Sequence, residues 1–103
     1  MTVTIHNKTI NLKYSFRAMM IYEKITNESF NPKGITEIIL YFYSTIIASD
    51  KDISLSYDEF MDWLDNNPNV LNDFSIWLSS ILSKNNVIND SERNEVETDF
   101  KKN

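Results

Sequence analysis

Apolar and polar residues alternate along the first dozen positions. Val3, Ile5, Ile10 and Leu12 are apolar, with polar residues between them. A period of two predicts strands. The apolar parity switches across His6-Asn7-Lys8-Thr9, as a short turn requires, and Asn tolerates the left-handed backbone of tight turns. Residues 2–13 are therefore expected to form a β-hairpin. A lone hairpin is barely stable, so its apolar face has to rest on helices.

Beyond the hairpin the period lengthens. Ser15 is placed to cap a first helix running to about Ile25. Ala18, Ile21, Tyr22 and Ile25 fall on one side of it, and Phe16, Met19 and Met20 on nearly the opposite side. Asn31-Pro32-Lys33-Gly34 is a strong turn signal and marks residues 27–34 as a loop. A second helix is expected over about Ile35 to Ser49. It is apolar almost all round, with Glu37, Ser44 and the Tyr41 hydroxyl as a narrow polar line, and such a helix belongs at the centre of a bundle. Its β-branched and aromatic residues also suit a buried strand, but its length favours helix.

Ser56-Tyr57-Asp58-Glu59 reads as a capping box: the serine accepts from the third residue's N–H and the glutamate reaches back. Tyr57, Phe60, Met61 and Leu64 then recur at i, i+3, i+4 and i+7, with Asp58, Glu59, Asp62 and Asp65 on the other face. Asn67-Pro68 starts a fourth helix, with Asn67 as its cap. Its stripe is Leu71, Phe74, Trp77, Leu78, Ile81 and Leu82, and it fades at Ser83-Lys84-Asn85-Asn86. The expected architecture is mainly α (α+β): a small bundle of about four helices with an N-terminal β-hairpin. One domain covers residues 1–86, and residues 87–103 form a flexible acidic tail.

Composition agrees with one modest core: the chain has 103 residues, 42% of them hydrophobic. The net charge of −5 is unevenly spread. Met1 to Lys33 holds five basic residues against two acidic ones, and Asp50 to Asp73 holds seven acidic residues against one basic. An acidic body argues against nucleic acid as a partner. The opening residues lack the charged start and apolar stretch of a signal peptide. The longest apolar run, Ile38 to Tyr43, is far too short to span a bilayer, so no membrane is expected as a partner.

Candidate chemistry is sparse. There is no cysteine, one histidine (His6, at the expected turn) and one glycine (Gly34). Thiol, Cys/His-metal and glycine-loop phosphate chemistry are excluded on those counts. The acids of the third helix are better read as a solvated face than as paired catalytic carboxylates. The expectation is a protein with no catalytic residue, no cofactor and no metal. Asp50-Lys51-Asp52-Ile53-Ser54-Leu55 resembles the start of a calcium loop. Yet position six is Leu55 instead of glycine, and position twelve is Met61 instead of a bidentate glutamate. A helix connection ending in a capping box is the better reading.

The remaining question is which apolar groups the fold leaves uncovered. For Phe16, Met19 and Met20, the pattern favours a first helix lying between the hairpin and the second helix, with both sides buried. The alternative is an adaptable, Met-rich docking patch. Trp63 lies off the edge of its helix's apolar stripe, beside acids, and reads first as core edge and second as a binding residue. Ile76 faces away from the fourth helix's stripe. These five residues are the candidate protein-binding set.

The order of parts resembles the small tail assembly chaperones of long-tailed bacteriophages and prophages. The resemblance rests on the hairpin Thr4 to Lys13, the helix Phe16 to Lys24 and the apolar helix Ile38 to Ser44. The acidic capped helix Ser56 to Leu64 and the final helix near Val70 to Leu82 complete it. It covers about residues 2–86 and is a pattern of apolar positions and segment lengths. It implies a role in virion morphogenesis. The protein would bind the tape measure protein in the host cytoplasm, keep it soluble and help recruit tail tube protein, and would be absent from the mature virion. Assembly into a homo-oligomer is compatible with it. The second reading of the sequence is a small regulatory or antitoxin-like protein of a mobile element that binds one protein target. The third is DNA binding through a helix-turn-helix at Asp65-Asn66-Asn67-Pro68. The helix that follows carries no Arg or Lys before Lys84.

Overall fold

The computed structural model describes residues 1–97, with side chains described as far as residue 84. Two strands and four helices follow one another: β1 (Thr2–Ile5), β2 (Lys8–Asn11), α1 (Phe16–Thr26), α2 (Ile35–Ser49), α3 (Tyr57–Asn66) and α4 (Pro68–Glu97). This is the expected mainly helical bundle with an N-terminal antiparallel hairpin.

The hairpin turns on two residues. His6 and Asn7 take φ of 53° and 61°, so both central positions are left-handed, and Ile5 pairs with Lys8 across them. That turn matches the twist of the flanking strands. Its register sends Val3, Ile5, Ile10 and Leu12 into the core and leaves Thr2, Thr4, Lys8, Thr9 and Asn11 exposed. Two contacts fasten the hairpin to the end of α2. The Lys8 ammonium meets the Asp50 carboxylate at 2.7 Å, and the Lys13 N–H donates to the Ser49 hydroxyl at 3.0 Å.

Local signals set the helix ends. The Ser15 hydroxyl accepts from the Ala18 N–H at 3.1 Å, and Asn27, with φ of 58°, closes α1 in the left-handed conformation. At α2 the cap position is Gly34, and the Glu37 carboxylate reaches back to its N–H at 2.6 Å. At α3 both halves of the capping box form: Glu59 N–H to the Ser56 hydroxyl at 3.1 Å, and Ser56 N–H to the Glu59 carboxylate at 2.8 Å. Asn67 stands at the α3–α4 junction, but its side-chain amide donates back to the Trp63 carbonyl at 2.8 Å rather than serving α4's first turn.

The centre of the bundle is α2, which buries Tyr41, Phe42, Ser44, Thr45 and Ile46. Ser44 and Tyr41 of its polar line are buried, and Glu37, in the first turn, is partly open to water. The Ser44 and Thr45 hydroxyls donate to the carbonyls of Leu40 and Tyr41 one turn back, at 2.8 and 2.7 Å. The Phe42 ring stacks on Phe74 of α4 with centroids 4.2 Å apart and planes 4° from parallel, and it meets Phe60 and Trp63 of α3 edge-on. One ring thus joins three helices. Phe30, in the loop before α2, packs on Tyr22 and Tyr41 and closes the α1–α2 end of the core.

On α4, Phe74 and Leu78 are buried, while Leu71, Trp77, Ile81 and Leu82 are half-buried. The packed stripe ends where the sequence fades, but the helical backbone runs on to Glu97. The tail expected over residues 87–103 therefore begins within the last turns of α4, and residues 98–103 lie outside the described residues. No described helix is long and apolar enough to cross a membrane.

Candidate protein-binding surface

The connection between α2 and α3 shows how the calcium-like motif is used. The Asp50 carboxylate accepts from the Asp52 N–H at 3.1 Å while its other oxygen pairs with Lys8. Leu55, at the position where a calcium loop turns on glycine, is buried, and its carbonyl accepts from the Tyr43 hydroxyl at 2.7 Å. Asp50 is held below its ordinary value of 3.8, chiefly by the hydrogen bond from Lys8 and then by the Asp52 N–H. Among the described residues no three His, Cys, Asp or Glu side chains gather as metal ligands would. His6 sits exposed on the hairpin turn.

The five candidate residues divide into two groups. Phe16, Met20 and Ile76 stand open to solvent, at 82%, 59% and 61% exposed. Met19 and Trp63 are half-buried and pack against the core. The expectation that α1 would be covered on both sides is thus corrected for Phe16 and Met20. The helix buries Ala18 and Tyr22 on one side only, because the hairpin packs elsewhere and nothing described covers the other side. Trp63 sits at the core edge, where its ring packs against both Phe42 and Phe60 and its indole N–H donates to the Thr4 carbonyl at 3.0 Å. The structure does not bring the five together. Phe16 and Met20 are neighbours one turn apart on α1, Trp63 belongs to the β1–α3 seam, and Ile76 is on the outer side of α4.

Pattern reading missed part of the open surface. Ile25, assigned to the buried side of α1, is exposed at the helix end, and Ile35 is 69% exposed in the first turn of α2. An apolar residue in a terminal turn has no neighbouring turn beyond it to cover it, and that was the available signal. Around Met20, a shallow open hollow of about 320 Å³ is lined by Arg17, Met20, Ile21 and Lys24. The outer face of α1 therefore combines apolar side chains with two cations.

Such a surface can dock a partner chain through exposed apolar groups set among charges. No protein-family model matches the chain, and no curated protein or solved structure matches it either.

Proposed function

We propose that this protein is a non-catalytic binding protein of the tail assembly chaperone kind. It holds the long, helical tape measure protein soluble in the host cytoplasm and helps bring tail tube protein to it during virion morphogenesis. The observation that carries this reading is the exposure of Phe16 and Met20 side by side on α1, outside a core already closed by Phe42, Phe60 and Phe74. Large apolar side chains left together on a surface are the means by which one chain holds the apolar faces of another. The acidic region from Asp50 to Asp73 supplies charge that keeps a complex dissolved.

The reading expects a very long helical open reading frame just downstream of this gene, and the test is co-expression with its product as the tape measure protein. The expected result is a soluble tape measure protein that co-purifies with this chain. A tape measure protein that stays equally insoluble with and without it refutes the reading.

A further inference from the structure

We infer that the outer face of α1, built from Phe16, Arg17, Met20 and Lys24, docks an amphipathic helix whose apolar stripe is flanked by Asp or Glu. This inference names the partner's chemistry and the contact face, and it rests on the binding-protein reading above.

Along α1, Phe16 and Met20 stand one turn apart. Arg17 and Lys24 flank Met20, and all four are exposed. Met20, Ile21, Arg17 and Lys24 together line the open hollow, so apolar and cationic groups share one concave surface. The cations are not used internally. Among the described residues the one ion pair is Lys8–Asp50, which uses neither of them. Two acids of the α1–α2 region are bonded to backbone groups instead: the Glu23 carboxylate accepts from the Phe30 N–H at 2.8 Å, and Glu37 accepts from Gly34 and Lys33. The face therefore presents two cations without an ion-pair partner beside apolar side chains, with the Glu23 carboxylate drawn toward the α1–α2 loop, and its complement is apolar and negative.

A second copy of this chain fits less well. Pairing α1 with α1 of another copy would set Arg17 and Lys24 against the same cations. The acidic face of α3 carries Asp58, Asp62 and Asp65 at i, i+4 and i+7 but exposes only Tyr57 as a large apolar residue, so it offers Phe16 and Met20 nothing to bury against. That contact is also head-to-tail, so it would build a ring or a filament and not a two-fold dimer. A nucleic acid supplies the charge without the aliphatic stripe.

The experiment uses the full chain and two synthetic helices of about 20 residues, long enough to be helical in water. Both carry Leu at i, i+3, i+4 and i+7; one flanks the stripe with Glu, the other with Lys. Binding is followed by anisotropy of the labelled peptide and by amide shifts of the isotope-labelled protein. The Glu helix is expected to bind and to shift α1 amides. Phe16→Ser and Met20→Glu should each weaken it about tenfold or more. The double reversal Arg17→Glu and Lys24→Glu should invert the preference, so that the Lys helix binds and the Glu helix does not. An unchanged circular dichroism spectrum shows that the variants are folded.

Equal binding of both peptides, binding of neither, or shifts confined to α3 or α4 overturns the inference. So does a wild-type chain that sediments as a dimer and becomes monomeric with Met20→Glu, which would make a second copy the occupant. The two proposals fail separately. If a Phe16→Ser, Met20→Glu chain still keeps tape measure protein soluble, this face is the wrong one and the chaperone reading stands. If the wild type binds the Glu helix but does not solubilise tape measure protein, the face stands and the chaperone reading falls.

Discussion

The indole N–H of Trp63 donates to the carbonyl of Thr4 at 3.0 Å, joining α3 to the first strand across 59 positions of sequence. The same ring meets Phe42 and Phe60, so Trp63 serves the fold before it serves any partner. Trp63→Phe removes the hydrogen bond and part of the ring, and is expected to cost about 1–2 kcal/mol. Urea denaturation measures this. An unchanged midpoint would mean that Trp63 is spare and free to act as a docking residue.

Tyr41 is fully buried, and its hydroxyl has no hydrogen-bond partner. A buried polar group without a partner loses its water and gains nothing in return. Tyr41→Phe, which keeps the ring against Tyr22, Phe30 and Phe74, should therefore leave stability unchanged or raise it by up to about 1 kcal/mol. A loss of stability in Tyr41→Phe would show that the hydroxyl is satisfied in solution.

The same residue sets an alkaline limit. Burial pushes the Tyr41 hydroxyl from its ordinary value of 10.0 up to about 12, against a smaller opposing effect of the nearby Thr45 hydroxyl, whose own proton goes to the Tyr41 carbonyl. Because the folded value lies above the unfolded one, the neutral phenol's contribution is fully present below pH 10 and is lost as pH rises from 10 toward 12. Alkaline unfolding with tyrosinate absorbance appearing in the same step is the expected result. Tyr41→Phe should move that step to higher pH.

On the acid side the sign reverses. Glu59 is held below its ordinary value of 4.5, first by the Ser56 N–H and then by the Ser56 hydroxyl. Asp50 is likewise held below 3.8. Both contributions are present above those ordinary values and disappear as pH falls through the lowered ones. Thermal stability measured across the acid range should fall there. In Glu59→Gln the fall should be smaller, because one of the two titrating carboxylates has been removed.

Surface and core should separate cleanly in stability measurements. Phe74→Ala removes the ring stacked on Phe42 and is expected to cost about 3–5 kcal/mol. Phe16→Ser, at a position 82% exposed, is expected to stay within about 0.5 kcal/mol of the wild type. A Phe16→Ser variant that loses several kcal/mol would place Phe16 in a packed contact and remove it from the docking face.

Much of this fold was legible in local signals. The parity switch placed the turn within His6 to Thr9, Ser15 and Ser56 announced α1 and α3, and the all-round apolarity of the second helix marked it as central. What local pattern could not carry was the choice of partner for each face. Phe16 and Met20 looked coverable because a hairpin and an apolar helix were both available, but the hairpin settled against the end of α2 through Lys8 and Lys13. The bond from Trp63 to Thr4 is a long-range contact with no local trace. Phe30 was the reverse case, a lone aromatic in a polar loop whose place in the core could have been suspected from its isolation.

The aromatic ring of Phe42 has a consequence for how such a chain can hold another. Because α3, α4 and, through Trp63, the first strand all converge on that single residue, these elements cannot loosen one at a time. Interior amides along this junction should exchange with solvent only in a common global opening. On the binding-protein reading proposed above, a chain with that cooperativity would grip a client from outside and not by parting its helices.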